Sequence, residues 1–68
     1  MATTDRDALP REIGRPATAA LAAEGITRLD QLTTRTERET LALHGVGPKA
    51  VRILRETLAS TGRAFKQA

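Results

Sequence analysis

The sequence predicts an all-α protein, a compact bundle of four to five short helices, on three observations. No stretch of four to eight residues alternates apolar and polar side chains between turn formers, so no half-buried strand is expected. Proline and glycine fall where helices start and stop, with Pro16 and Pro48 at openings and Gly25 and Gly62 at ends. Ala50, Val51, Leu54 and Leu58 recur at i, i+1, i+4 and i+8, a single apolar stripe on a helix whose other faces carry Arg52, Arg55 and Glu56.

Taken in order, residues 1–8 mix charges of both signs with small polar side chains and show no periodicity, so a frayed tail is expected ahead of a domain at residues 9–66. Leu9, Pro10, Ile13 and Gly14 set two apolar side chains among turn formers. Pro16 then opens a short Ala-rich helix with Ala17, Ala20 and Leu21 on one side, and Gly25 is placed to take the left-handed conformation after it. Small residues on that side let a second helix approach closely. Thr27 and Asp30 have the spacing of an N-cap and its partner ahead of Leu29 and Leu32, which predicts a very short second helix. Thr36 and Glu39 repeat that spacing and open a third helix carrying Leu41 and ending near Leu43 or His44. The run Gly45-Val46-Gly47-Pro48 is read as a sharp turn with unusual φ at both glycines, restarting a helix at Pro48. This fourth helix is the longest; Thr61-Gly62 ends it, and Phe65 folds back as a core plug.

Composition removes several functions. With no Cys there is no disulfide, no thiolate nucleophile and no cysteine zinc site, and the single His44 cannot build a metal cage alone, so neither metal nor cofactor is expected. A chain of 68 residues buries only about 60% of its unfolded surface, which leaves little material for a substrate pocket. No Ser, Cys or carboxylate is placed to pair with His44, and Glu37, Glu39 and Asp30 read as caps and solvated residues, so an enzyme is not expected. The most apolar uncharged run, residues 17–23, is far short of the roughly 20 residues that span a bilayer, and no signal-peptide n-region precedes it. A cytoplasmic monomer without membrane contact is the expectation.

Charge is uneven along the chain. Eleven Lys and Arg against eight Asp and Glu give +3. Residues 1–43 hold six basic and seven acidic groups, a balance of −1, whereas Lys49, Arg52, Arg55, Arg63 and Lys66 stand against Glu56 alone beyond them, a balance of +4. An anionic partner is therefore expected to meet the C-terminal third. Arg52 and Glu56, at i and i+4, are expected to form an exposed pair.

The informative segment is residues 41–54, which combines a tight glycine turn, a helix N-terminus and two basic residues. The turn leaves the N–H groups of Gly47, Lys49 and Ala50 without intrahelical partners at the positive end of the helix dipole. A glycine without Cβ lets an anion reach the backbone. Pro48 donates nothing but stiffens the turn, and Lys49 and Arg52 add charge beside the same seat. The phosphate-contacting set is thus Gly45, Val46, Gly47, Lys49, Ala50 and Arg52, with Arg15 and His44 as additional candidates. His44 at the lip of the turn has two readings, a hydrogen bond to a carbonyl or a face turned to phosphate.

The run Leu43-His44-Gly45-Val46-Gly47-Pro48-Lys49-Ala50 resembles the helix-hairpin-helix motif: an aliphatic residue, a variable position, Gly-aliphatic-Gly, then often Pro-Lys. A fainter internal echo sets Leu21-Ala22-Ala23-Glu24-Gly25-Ile26 against Leu41-Ala42-Leu43-His44-Gly45-Val46, which predicts a helix-hairpin-helix (SAM-like) pseudo-repeat with an aliphatic core plug after each glycine. Residues 13–65 also resemble, without gaps, the C-terminal domain of the bacterial RNA polymerase α subunit. That likeness rests on Leu21, Glu24, Ile26, Leu32, Arg35, Thr36, Glu37, Glu39, Leu41, Val46, Gly47, Lys49, Leu58, Ala59, Ser60 and Gly62. The resemblance implies a bacterial DNA-binding domain of transcription, with minor-groove and phosphate contact through the start of the first helix and the Gly-x-Lys of the hairpin. Gly47 and Lys49 match. Pro16 stands where the family has its principal minor-groove arginine, and Ala19 where it has a groove-facing asparagine; Arg15 is the candidate substitute.

Two functions follow as expectations. The first is a small nucleic-acid-binding module that contacts backbone phosphate weakly and non-specifically through residues 45–52. The second is a protein-interaction module of the same fold in transcription or DNA repair, favoured by the apolar character that Pro16, Ala17 and Ala20 give the first helix. A hairpin of this kind also serves purely to reverse two helices, with Val46 in the core and Lys49 solvated.

Overall fold

The computed structural model describes residues 7–67, and the chain is all-α. Three α-helices, α1 (Arg15–Ala23), α2 (Glu37–Leu41) and α3 (Pro48–Ala59), alternate with two 3₁₀ segments at Arg11–Ile13 and Leu29–Thr34. There is no strand among the described residues, only an isolated antiparallel bridge between Ala8 and Arg28.

Each helix starts and stops for a local reason. Arg15 and Pro16 open α1, and its end is closed by Gly25 at φ 77°. There the Gly25 N–H donates to Ala22 O at 2.9 Å and the Ile26 N–H to Leu21 O at 2.8 Å, the paired bonds of a Schellman cap. The end of α3 repeats the device: Gly62 N–H to Ala59 O at 3.0 Å and Arg63 N–H to Leu58 O at 2.9 Å, with Gly62 at φ 75°. At the start of α2, Thr36 Oγ1 accepts from the Glu39 N–H at 3.0 Å while Glu39 Oε1 accepts from the Thr36 N–H at 2.8 Å, so the expected capping box is present.

The second helical segment is built differently from the expectation. It is a 3₁₀ helix, and the residue that closes its entry is Gln31, whose Oε1 accepts from both the Thr27 and Arg28 N–H groups at 2.8 and 2.9 Å. Thr27 and Asp30 do not cap each other. The acceptor for the Asp30 N–H is instead Asp7 Oδ2, at 3.0 Å and from 23 residues away, while the Leu29 N–H donates to Asp7 O at 2.7 Å. A carboxylate at a helix start is favoured by the unpaired N–H groups there.

The same Asp7 lies at the edge of the expected tail. Residues 1–6 of the predicted tail lie outside the described residues, but Asp7 and Ala8 are tied into the fold. Arg63 Nη2 sits 2.7 Å from Asp7 Oδ1, so this carboxylate joins the beginning of the domain to the end of α3. The Arg63 guanidinium, followed by the Asp30 N–H, holds the Asp7 carboxyl down to about 2. The Glu39 carboxyl is likewise lowered by the Thr36 N–H it accepts. A depressed carboxyl stabilises the fold above its unfolded value and loses that contribution as pH falls through the folded one. Acid unfolding is therefore expected to set in between about pH 4 and pH 2, and Asp7→Asn is expected to lower stability at pH 7 and flatten the profile over that window. Circular dichroism melts across pH 2–7 read both effects; a parent and variant with parallel profiles exclude Asp7 as the titrating tie.

The core is the predicted stripe of α3 (Ala50, Val51, Leu54, Leu58) packed with Ile13, Ala17, Leu21, Ile26, Leu29, Leu32, Val46 and Phe65. Phe65 is buried as expected, and its segment is pinned by the Lys66 N–H donating to Arg35 O at 2.9 Å. α3 packs on the Arg11–Ile13 turn and on α2. The third helix ends at Leu41, two to three residues earlier than expected, and Thr40 takes the inward position on it. Thr40 is fully buried and its hydroxyl donates to Thr36 O at 3.1 Å, which leaves no orphaned polar atom. Leu41, the last residue of α2, faces out.

Candidate nucleic-acid interface

The hairpin joins α2 to α3, and its two glycines have separate roles. Gly45 has φ 99°, a conformation that L side chains avoid, and a Cβ there would lie 2.9 Å from Pro16 O and 3.5 Å from Ala20 Cβ. This glycine is demanded by the fold, and through it the turn packs directly against the first turns of α1. Gly47 does not have the unusual φ expected for it. It is the N-cap of α3, extended at φ −101°, ψ 175°, and a Cβ on it would meet nothing within 4 Å. Neither backbone conformation nor internal packing requires glycine at this position.

Pro48 is the first residue of α3, and the first helical bond is the Val51 N–H to Gly47 O at 3.1 Å. The N–H groups of Gly47, Lys49 and Ala50 precede it and stand at the positive end of a 12-residue helix. No side chain caps them. Val46, placed among the phosphate-contacting residues on sequence, turns inward: its side chain is buried and its N–H donates to Leu43 O at 3.1 Å. It holds the turn in place and offers no donor. Ala50 is also a core side chain, so the exposed part of the set is Gly45, Lys49 and Arg52, with Gly47 half-buried. His44 is exposed at the turn, and none of its ring atoms makes a hydrogen bond among the described residues.

The charge distribution differs from the sequence expectation. Arg55 Nη1 lies 2.9 Å from Glu37 Oε1, and Arg63 is bound by Asp7, so two cations of the C-terminal third are neutralised by acids from residues 1–43. Arg35 pairs with Glu24 at 3.4 Å and Arg28 with Asp30 at 3.5 Å. The expected Arg52–Glu56 pair does not form. Arg11, Arg15, Lys49 and Arg52 enter no ion pair among the described residues and are exposed. Arg15 is the first residue of α1, one position before the Pro16 carbonyl on which Gly45 sits, so the start of α1 adjoins the hairpin. Arg11, which the sequence reading did not single out, shares a shallow groove with Gly14, Arg15, Thr18 and Ala19. Its signal was concealed by the −1 balance of the first 43 residues, whose acids are largely consumed by internal pairing.

Among the described residues no helix is long and apolar enough to cross a membrane, and no three His, Asp or Glu side chains converge on a metal-sized site. The fold and site together define a small all-α domain with an uncapped helix start and unpaired cations at one corner. The chain matches no protein-family model, no curated protein and no solved structure in the three comparisons made.

Proposed function

We propose that this chain is a small DNA-binding module that holds backbone phosphate, weakly and without sequence preference, at the turn of residues 45–52. The observation that supports it most is Gly47. At an N-cap with extended backbone and open space for a side chain, Ser, Thr or Asp would stabilise α3 by capping it. Glycine there keeps the amides of Lys49 and Ala50 uncovered and lets a phosphate oxygen approach the main chain, with Lys49 and Arg52 supplying charge. The resemblance to the α-subunit domain fits this reading, as do the paired turns in which Gly25 and Gly45, both at positive φ, precede the buried Ile26 and Val46. Such paired turns are what a helix-hairpin-helix pseudo-repeat would contain, and they support that reading. Arg15 and Arg11 extend the contact along the start of α1.

With two to four phosphates engaged, log affinity falls with log salt at a slope of about −2 to −4, a loss of about 16- to 250-fold between 50 and 200 mM. Fluorescence anisotropy with a labelled duplex checks this. The double variant Lys49→Ala/Arg52→Ala is expected to bring the slope nearer zero by about 2. Gly47→Ser is the sharper test. Its hydroxyl caps the amides a phosphate would use, so thermal stability is expected to rise by a few tenths of a kcal/mol while DNA affinity drops several-fold. A serine variant that binds DNA as the parent does removes the phosphate seat from this turn.

A further inference from the structure

We propose that the groove between α2 and α3 docks a short acidic segment of another protein, with an apolar side chain at its centre. Leu41 is 45% exposed, and it is the one large hydrophobic side chain left exposed among the described residues. It lies with Pro48 and Val51 in a groove of about 370 Å³ bordered by Glu37, Arg38, Arg52 and Arg55. That volume is at the low end for small-ligand pockets and suits one or two anchoring side chains.

The rim selects the occupant. Glu37 is already taken by Arg55 at 2.9 Å, so that pair adds no net charge. Arg38 and Arg52 enter no ion pair among the described residues, which leaves two guanidinium groups beside an apolar floor. A phosphate backbone would satisfy the arginines but has nothing to cover the Leu41 isobutyl group. A peptide in which Asp or Glu flanks Leu or Phe supplies both: the apolar anchor contributes affinity by covering Leu41, and the carboxylates fix orientation through forked Arg contacts. Arg52 is shared with the phosphate site at the start of α3, whereas Leu41 and Arg38 are not, so the two sites are separable by mutation.

The probe is a synthetic 12-residue peptide with one Leu and one Phe among Asp and Glu, titrated into the ¹⁵N- and methyl-labelled chain, with the same peptide carrying Ser for Leu and Phe as control. Saturable shifts are expected at Leu41, Val51 and Arg38, and Leu41→Ser is expected to weaken binding about fivefold or more. Arg38→Glu, a change at an exposed position that leaves the core untouched, is expected to weaken it further and serves if Leu41→Ser perturbs the amide spectrum. Duplex DNA binding is expected to be unchanged by Leu41→Ser. Absence of saturable shifts, an equal response to the Ser control peptide, or a loss of DNA affinity in Leu41→Ser as large as the loss of peptide affinity overturns the proposal, the last by assigning this face to nucleic acid. A chain that binds the peptide and no DNA refutes the phosphate reading alone and leaves this one standing.

Discussion

Gly45→Ala is expected to cost about 2–4 kcal/mol, a large share of the roughly 3–10 kcal/mol that a chain of this length has in total. Two independent penalties combine. The backbone sits at φ 99°, where a Cβ crowds its own main chain, and the new methyl would lie 2.9 Å from the Pro16 carbonyl oxygen. That neighbour is backbone at the first turn of α1, so it gives way only if α1 shifts. Relief would come by swinging the hairpin away from α1, which withdraws Val46 from the core and reorients the start of α3. Gly47→Ala two positions on is the internal control. Its φ of −101° is open to any residue, nothing lies within 4 Å, and the lost capping tendency roughly offsets the gain from a stiffer unfolded chain. Urea denaturation of both variants decides: a loss confined to Gly45→Ala supports the assigned roles, and equal losses exclude them.

The contrast also shows which parts of the molecule are legible from sequence. Local punctuation is. The Thr36–Glu39 box, the start at Pro48, the glycine ends at Gly25 and Gly62 and the stripe of α3 each depend on residues within four or five positions of one another, and each is found in place. Relations across the chain are not. Asp7 caps a helix 23 residues away and binds Arg63, and nothing in the local composition of residues 1–8 marks it out. Thr40 is buried because its hydroxyl returns to Thr36 O within the same short helix, so a polar residue occupies the place that periodicity reserves for Leu41.

The site divides along the same line. The glycine turn, the uncapped helix start and the cations Lys49 and Arg52 are sequence-local and were identifiable. Which charges remain available is a tertiary property. Summing charge by segment placed the surplus in the C-terminal third, but pairing cancels Arg55 and Arg63 there and leaves Arg11, Arg15 and Arg38 unpaired among the described residues of the first 43, so free cations stand at the start of α1 and on α2 as well as at the hairpin. The two glycines show the complement of this. Both look alike as letters in a Gly-x-Gly turn, and only the folded backbone, through the positive φ of Gly45 and the Pro16 carbonyl beside it, distinguishes the one the fold requires from the one it does not.

Leu54→Ala is expected to have the largest effect of any single change, about 2–5 kcal/mol. Leu54 is fully buried at the middle of α3, between Val51 and Leu58 on the stripe that faces Ile13, Leu21 and Leu32. A domain this small has no second core to compensate, and its side chains are too few to collapse onto the vacated volume, so the cost falls toward the upper part of that range. In melts this corresponds to a fall of about 10–40 °C, since each kcal/mol is worth about 4–8 °C at this chain length. Leu41→Ser, on the exposed side of α2, is the matched comparison and is expected to change stability by about 0.5 kcal/mol or less. The consequence for binding is distinctive. α3 carries Leu54 on one face and the Lys49 amide at its start, so losing the packing removes the helix that presents the donors. DNA affinity of Leu54→Ala should therefore track the folded fraction, returning to the parental value on cooling or with a stabilising osmolyte. Lys49→Ala/Arg52→Ala should instead stay weak at every temperature at which the chain is folded. A Leu54→Ala protein that is fully folded by circular dichroism yet fails to bind would mean that the hairpin is not held by the α3 core, and that the turn is positioned by its contact with α1 alone.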